Sequence, residues 1–270
     1  MWQRMLHTLI FKMILFNSDL DNTIIYSYKH DIGTCKKCAE IYEGREISFI
    51  TDRTYELLKE VSKTVLMIPT TTRTTEQYNR IDLQIGAFPY ALTCNGGVLL
   101  VDGQEDEEWY KESLEMVAGC QEVMDKANAL MEKDPYRNFE LRYIKELFLY
   151  TKSSEPEKTV EWLQGQLDLN QVDVFNNGVK VYVVPKELNK GRAIMRLKEK
   201  LGGDLVIAAG DSEFDISMVE SADYGIAPQN LACKERKEGC ITKVSEQELF
   251  SEKVLERVLE IAKSSLMVTV

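Results

Sequence analysis

Histidine is scarce in this chain: His7 and His30 are the only two among 270 residues. Neither has a second imidazole at ligand spacing, and His30 is too isolated to act as a catalytic base. Cysteine occurs six times, but only Cys35-Lys36-Lys37-Cys38 has a short metal-type spacing. No second CxxC completes a zinc site, so a free-thiol loop is expected there. Positive charge is also short, with 33 Lys plus Arg against 44 Asp plus Glu and a formal net charge of −11. That balance argues against nucleic acid or an anionic membrane as the main partner. A small anionic substrate stays open, because a local cluster or a bound cation overrides the global field. Long apolar runs are missing too. The stretch Leu9 to Phe16 is broken by Lys12, is too short to span a bilayer, and precedes no small-residue cleavage site. Met1 to Phe16 therefore reads as a lead-in to a buried strand, and a cytoplasmic protein is expected.

What is present is ordinary for a soluble protein: 44% hydrophobic and 29% charged residues, enough for one large domain or two modest ones. Lys12 to Ser18 is a short apolar run that reads as a buried parallel strand. Residues 26 to 48 read as a polar, irregular excursion. Thr51 caps a helix to about Lys63, with Tyr55, Leu58 and Val61 on one face. "TVLMIP", residues 64 to 69, is a second buried strand, followed by the polar "TTTRTTEQYNRI". This alternation predicts a doubly wound parallel sheet, an α/β Rossmann-like core.

Near residue 90 the texture changes. "YALTCNGGVLLVDG" reads as a strand or hairpin, and a long helix is expected over 106 to 133. "FELRYIKELFLYTK" reads as two strands. Ser154-Glu155-Pro156-Glu157 has the form of a capping box with proline in the first turn, opening a helix to about 168. "QVDVFNNGVKVYVVP" is a hairpin turning at Asn177-Gly178. These elements predict an inserted α+β domain over 90–186 between core segments 1–89 and 187–270. From Asn189 the core pattern resumes with the helix "NKGRAIMRLKEKLG", the strand "DLVIAAG", a helix from "DSEFDISMVESA", and "YGIAP" as a final short strand.

Ligands of an open α/β sheet bind outside the carboxyl ends of its strands. Three such ends carry useful polar groups: Asp19, Asp21 and Thr23; Thr70, Thr71 and Arg73; and Asp211, Ser212 and Asp215. Lys190 starts the helix before the last of these strands. Asp19, Asp211 and Asp215 together form a hard oxygen-rich set that suits Mg²⁺. Phosphoryl transfer to a carboxylate needs its equatorial oxygens neutralised by metal, ammonium and hydroxyl groups, and Thr71 and Lys190 supply the last two. Asp21, two residues from Asp19 on the same side of an extended segment, suits a general acid and base.

"DLDNT", "TTR", "NKGRA" and "GDSEFD", in this order, resemble the four motifs of the haloacid dehalogenase-like phosphatase superfamily. The insertion resembles its type-two cap, shared by Cof-type sugar phosphatases, sucrose-phosphate phosphatases and phosphomannomutases. "LTCNGGVLL" resembles the segment where such proteins enter the cap. The likeness spans about residues 12 to 232. It implies Asp19 as the nucleophile that forms an aspartyl-phosphate and Asp21 as general acid/base, with its backbone carbonyl on Mg²⁺. Lys190 would steady nucleophile and phosphate, and Asp211, with Asp215, would hold the metal. Thr71, Thr72, Arg73, Asn95 and Lys190 are the expected substrate contacts, with Thr70 a competitor for the phosphate. Of the basic cap residues, Arg137, Arg142 and Lys180 are placed to meet a substrate. Three positions depart from the family pattern: Asn22 and Thr72 replace glycines, and Phe214 stands where asparagine is common. The expected activity is a Mg²⁺-dependent phosphatase acting on a small phosphorylated metabolite, most plausibly a sugar phosphate. A sugar phosphomutase, or a binding or regulatory protein that kept the fold and lost turnover, are the alternatives. Oligomeric state is not legible.

Overall fold

A computed structural model describes residues 12–267; the first eleven residues of the expected lead-in lie outside them. Strand β1 (Ile14–Ser18) is buried at every position. Ile14 and Phe16 join one apolar cluster and Leu15 another, the alternation of a strand covered on both faces.

The next segment corrects the sequence expectation. Residues 26–48 are not irregular: β2 (Tyr26–Ser27), β3 (Lys36–Tyr42) and β4 (Arg45–Thr51) make a small antiparallel sheet. The β3–β4 hairpin turns at Glu43 and Gly44, both with positive φ, as two-residue hairpin turns require. A register shift between Cys38 and Glu40 breaks the polar–apolar alternation that would have marked it as a strand.

Helix α1 (Asp52–Thr64) starts at Thr51, whose hydroxyl accepts from the Thr54 amide, and buries Leu57, Leu58 and Val61. Strand β5 (Leu66–Pro69) pairs with β1, and the single-turn α2 (Thr75–Tyr78) follows under a Thr74–Gln77 capping box. Strands β6 (Tyr90–Thr93), β7 (Val98–Val101) and β8 (Gln104–Glu105) form a second small antiparallel sheet. Leu92 bridges Thr70 in parallel, and Leu92, Leu99 and Trp109 pack with Leu15 and Ile68. This hairpin, placed in the insert by its position after residue 90, thus packs on the parallel sheet.

The expected long helix is two, α3 (Glu107–Val117) and α4 (Gln121–Glu132), broken by a 3₁₀ turn at Ala118–Cys120. Strands β9 (Arg142–Ile144) and β10 (Phe148–Lys152) precede α5 (Pro156–Gln164). Proline opens α5, but no side chain caps it, so the Ser154–Glu157 box does not form and the helix ends before 168. In the hairpin of β11 (Val172–Asn177) and β12 (Lys180–Pro185), Asn177 pairs with Lys180, so the loop is Gly178-Val179. Glycine at the first loop position, with φ 56°, suits this turn and shifts it one residue from the expected Asn177-Gly178. The sheet β11-β12-β10-β9 packs one face on α4 and α5 through Val174, Val181, Val183, Leu149, Met124 and Leu163.

Helix α6 (Lys190–Leu201) is capped by Asn189, whose Oδ1 accepts from the Arg192 amide, and ends at left-handed Gly202. Strand β13 (Leu205–Ala209), helix α7 (Ile216–Ser221) and β14 (Tyr224–Pro228) follow. β14 is not the last strand. β15 (Ile241–Val244) pairs along its edge, and α8 (Phe250–Met267) returns across α1, where Ser251 and Glu252 meet Thr54 and Thr51. The parallel sheet runs β15-β14-β13-β1-β5. The chain leaves β1 toward β5 on one side and returns through β13 on the other, so the order reverses beside β1, where open α/β sheets bind ligands. Among the described residues no helix is long and apolar enough to cross a membrane.

Candidate active site

The expected residues gather where β1 and β13 end. The Asp19 amide donates to the Ala209 carbonyl, extending the ladder one residue past β1 and holding the Asp19 backbone against the end of β13. Asn22 then turns the chain with φ 57°, an angle asparagine tolerates, so its replacement of glycine leaves the turn intact.

Lys190 is the hub. Its side chain is 1% exposed, and its Nζ lies 2.6 Å from both Asp19 Oδ1 and Asp215 Oδ1. Burial would lower its pKa, but the two carboxylates overcome that and hold the ammonium charged. The other oxygen of Asp215 accepts from the Asp211 and Ser212 amides and from Ser212 Oγ. Gly210 makes this possible, because a Cβ there would overlap the Asp215 side chain. Asp211 accepts from Thr23 Oγ1 at 3.1 Å.

Asp19, Asp211 and Asp215 each offer an oxygen within 4.8 Å of the others, the sole such His, Cys, Asp or Glu group among the described residues. Three carboxylates face one ammonium. Burial raises the Asp19 pKa well above the ordinary range, offset in part by Lys190, and burial plus Asp215 push Asp211 up to about 6. A buried cluster with this surplus of negative charge, built from oxygen donors alone, fits a hard divalent cation.

Asp21 stands apart from that cluster. Arg73 Nε and Nη2 donate to its two oxygens at 2.7 and 2.8 Å, and Arg73 Nη1 and Nη2 donate to both oxygens of Glu40 on β3. Burial alone would raise the Asp21 pKa, but the bond and charge of Arg73 outweigh it and lower the value. Sequence reading missed Glu40, whose position follows only once β3 and β4 are seen as a hairpin.

The threonines divide differently from the expectation. Thr70 and Thr71 are fully buried; Thr70 Oγ1 is held by Asn17 and the Ile68 carbonyl, and Thr71 Oγ1 accepts from the Arg73 amide. Thr72 lines the cleft beside Asp19, Asp21 and Lys190, a space of about 300 Å³. Asn95, an expected substrate contact, is buried away from this cleft. Its Nδ2 donates to the Leu188 carbonyl, tying together the two segments that join β6 and α6 to the rest of the chain.

The free face of the β11-β12-β10-β9 sheet covers the cleft. Phe139, Tyr150, Tyr182 and Phe175 stack in sequence along it, with centroids 6.5, 5.7 and 5.7 Å apart. Phe214 inserts edge-on against Phe175 and Tyr182 at 4.6 and 5.0 Å, so this departure from the family pattern is an aromatic contact. Of the three basic residues singled out on the insert, Arg137 bonds the Phe139 and Glu132 carbonyls and Arg142 bonds Glu140 and Tyr150. Only Lys180 faces the cleft.

Residues 104–240 match the family model of haloacid dehalogenase-like hydrolases. Among curated proteins the chain is similar to a phosphoglycolate phosphatase of Methanopyrus kandleri, 24% identical over 178 residues, 64% of this chain and 74% of that protein. A phosphoglycolate phosphatase of Sulfurisphaera tokodaii is 28% identical over 153 residues, 54% of this chain and 58% of its own length. Among solved structures, the sucrose-phosphatase of Synechocystis sp., in complex with sucrose and phosphate, superposes with a TM-score of 0.59 at 17% identity, covering 93% of this chain and 98% of that one. A HAD/COF-like hydrolase from Plasmodium vivax gives 0.57 at 15% identity over 93% and 96%. At these identities the structural likeness is one of fold.

Proposed function

Since the chain belongs to the haloacid dehalogenase-like hydrolase family, we propose that it is a Mg²⁺-dependent phosphatase of a small phosphorylated metabolite. The observation that carries this reading is the Lys190 ammonium bridging Asp19 and Asp215 beside Asp211, at the end of β1. In this reading residues 90–186 contribute the cap, with the β6–β7 hairpin on the core side of the junction.

Asp19 is the nucleophile. Its carboxylate attacks phosphorus as the bond to the leaving oxygen breaks, giving an aspartyl-phosphate, and that oxygen takes a proton from Asp21. Asp21, now a carboxylate, takes a proton from water, which attacks the same phosphorus and releases inorganic phosphate and free Asp19. The Arg73 grip favours the ionised form of Asp21, the form this second step uses. Lys190 opposes the effect of burial on Asp19, favouring its ionised form, and offers its charge to the phosphoryl oxygens, while Thr72 lines the space those oxygens would fill. Asp19, Asp211 and Asp215 are the residues that would hold Mg²⁺, which when bound supplies charge neutralisation for the phosphoryl group.

The test is phosphate release across a panel of phosphorylated small acids, alcohols and sugars, with Mg²⁺ and with EDTA. Release with Mg²⁺ that EDTA abolishes is expected. Full activity in EDTA contradicts the metal assignment, and sugar phosphate isomerised without phosphate release would make the chain a mutase.

A further inference from the structure

The cleft beside Asp19 opens into a second space of about 390 Å³, walled by Tyr150 and Tyr182 on one side and Glu40, Arg73 and Arg80 on the other. A leaving group attached to a phosphoryl group at Asp19 would extend into it. Two residues line both spaces from the covering sheet: Lys180 and Tyr182, two apart on β12 and so on one face.

Lys180 stands out among the cations here. Arg73 is fully engaged by Asp21 and Glu40, Arg80 donates to Glu40, and Lys190 bridges Asp19 and Asp215. Lys180 has no ion pair or side-chain hydrogen bond among the described residues. Its cross-strand neighbour is Lys152, a like-charge pair that destabilises an antiparallel ladder. Lys180 is exposed to solvent where it lines the two spaces. The charges lining the second space are three cations, Arg73, Arg80 and Lys180, against two carboxylates, Asp21 and Glu40. The surplus is a single positive charge, and it resides on the unpaired residue. That matches a monoanion in a space also lined by hydroxyl groups.

We propose that Lys180, assisted by the Tyr182 hydroxyl, binds a carboxylate carried on the leaving group, so that the preferred substrates are phosphoesters of small hydroxy acids. The assignment rests on the phosphatase reading for where the phosphoryl group sits, but Lys180 binds the carboxylate whether or not turnover occurs.

The experiment compares matched pairs that differ in the carboxylate: phosphoglycolate with 2-hydroxyethyl phosphate, and 3-phosphoglycerate with glycerol 3-phosphate. For the wild type, kcat/KM is expected to favour the carboxylated member by roughly tenfold to a hundredfold, the range of a hydrogen bond to a charged group. Lys180→Met should abolish that preference, with the larger loss falling on the carboxylated member, and Lys180→Arg should restore most of it. An equal loss on both members would make Lys180 a phosphoryl or structural residue, and no loss on either would remove it from recognition. Calorimetry with 3-phosphonopropionate and propylphosphonate, which cannot be hydrolysed at phosphorus, separates the two readings. Preferential binding of the carboxylated phosphonate, erased by Lys180→Met, sustains this inference even if no phosphoester is turned over. Equal binding of both phosphonates overturns it.

Discussion

Arg73 holds both carboxylate oxygens of Asp21 with one edge of its guanidinium and both oxygens of Glu40 with another, four hydrogen bonds between 2.7 and 3.0 Å. Glu40 is 1% exposed at its side chain and also receives Arg80 and Ser48. The β3–β4 hairpin therefore orients, through an arginine, the residue assigned to proton transfer.

Removing one member of a buried ion pair leaves the other uncompensated, at a cost of about 3 kcal/mol or more. Glu40→Gln should lose on the order of 3 kcal/mol of unfolding free energy at pH 7, read from urea midpoints at constant m. The Arg73 bond and charge outweigh burial and lower the Glu40 pKa from its ordinary 4.5. A carboxylate with a lowered folded value stabilises the fold above its unfolded pKa and loses that contribution as pH falls through the folded one. The gap between wild type and Glu40→Gln should hold from pH 8 to about 5 and close below about 4.5. A gap that stays constant into strong acid would contradict the ion-pair account.

Phe214 connects the loop after β13 to the aromatic column of the covering sheet. Phe214→Ala should cost about 3–5 kcal/mol, the range for truncating a packed phenylalanine, whereas Phe214→Leu should keep most of the contact. Hydrogen exchange should show the extra opening at β11 and β12 ahead of β1 and β13. Unchanged protection of β11 and β12 in Phe214→Ala would show that the aromatic contact does not seat the sheet.

Much of this was legible in the sequence because local patterns and global fold agree. The continuous apolar runs of β1, β5 and β13, each ending in polar residues, located the carboxyl ends where Asp19, Thr70 and Asp211 sit. What escaped depends on partners distant in sequence. Thr72 rather than Thr71 lines the cleft because the Thr71 amide donates to Leu92 on β6, fixing a backbone turn invisible from "TTTR". Glu40 escaped because the register shift in β3 hides its strand pattern. β15 is a four-residue edge strand between polar segments, too short to signal itself, although Val254, Leu255, Val258 and Leu259 of α8 carry a readable helical stripe. The place of Asn95 also depends on a distant partner, since its side chain donates to the Leu188 carbonyl across two chain segments.

The central claim is that Asp19 attacks phosphorus while Asp21 moves the proton. An aryl phosphate labelled at phosphorus, mixed rapidly with enzyme and quenched in acid, tests it most directly. Its leaving group needs little protonation, so Asp21→Asn should still be phosphorylated and, lacking a base for water, should accumulate label on protein. Asp19→Asn should carry none. Label accumulating on Asp19→Asn, or absent from both variants while the wild type turns over, would contradict the assignment.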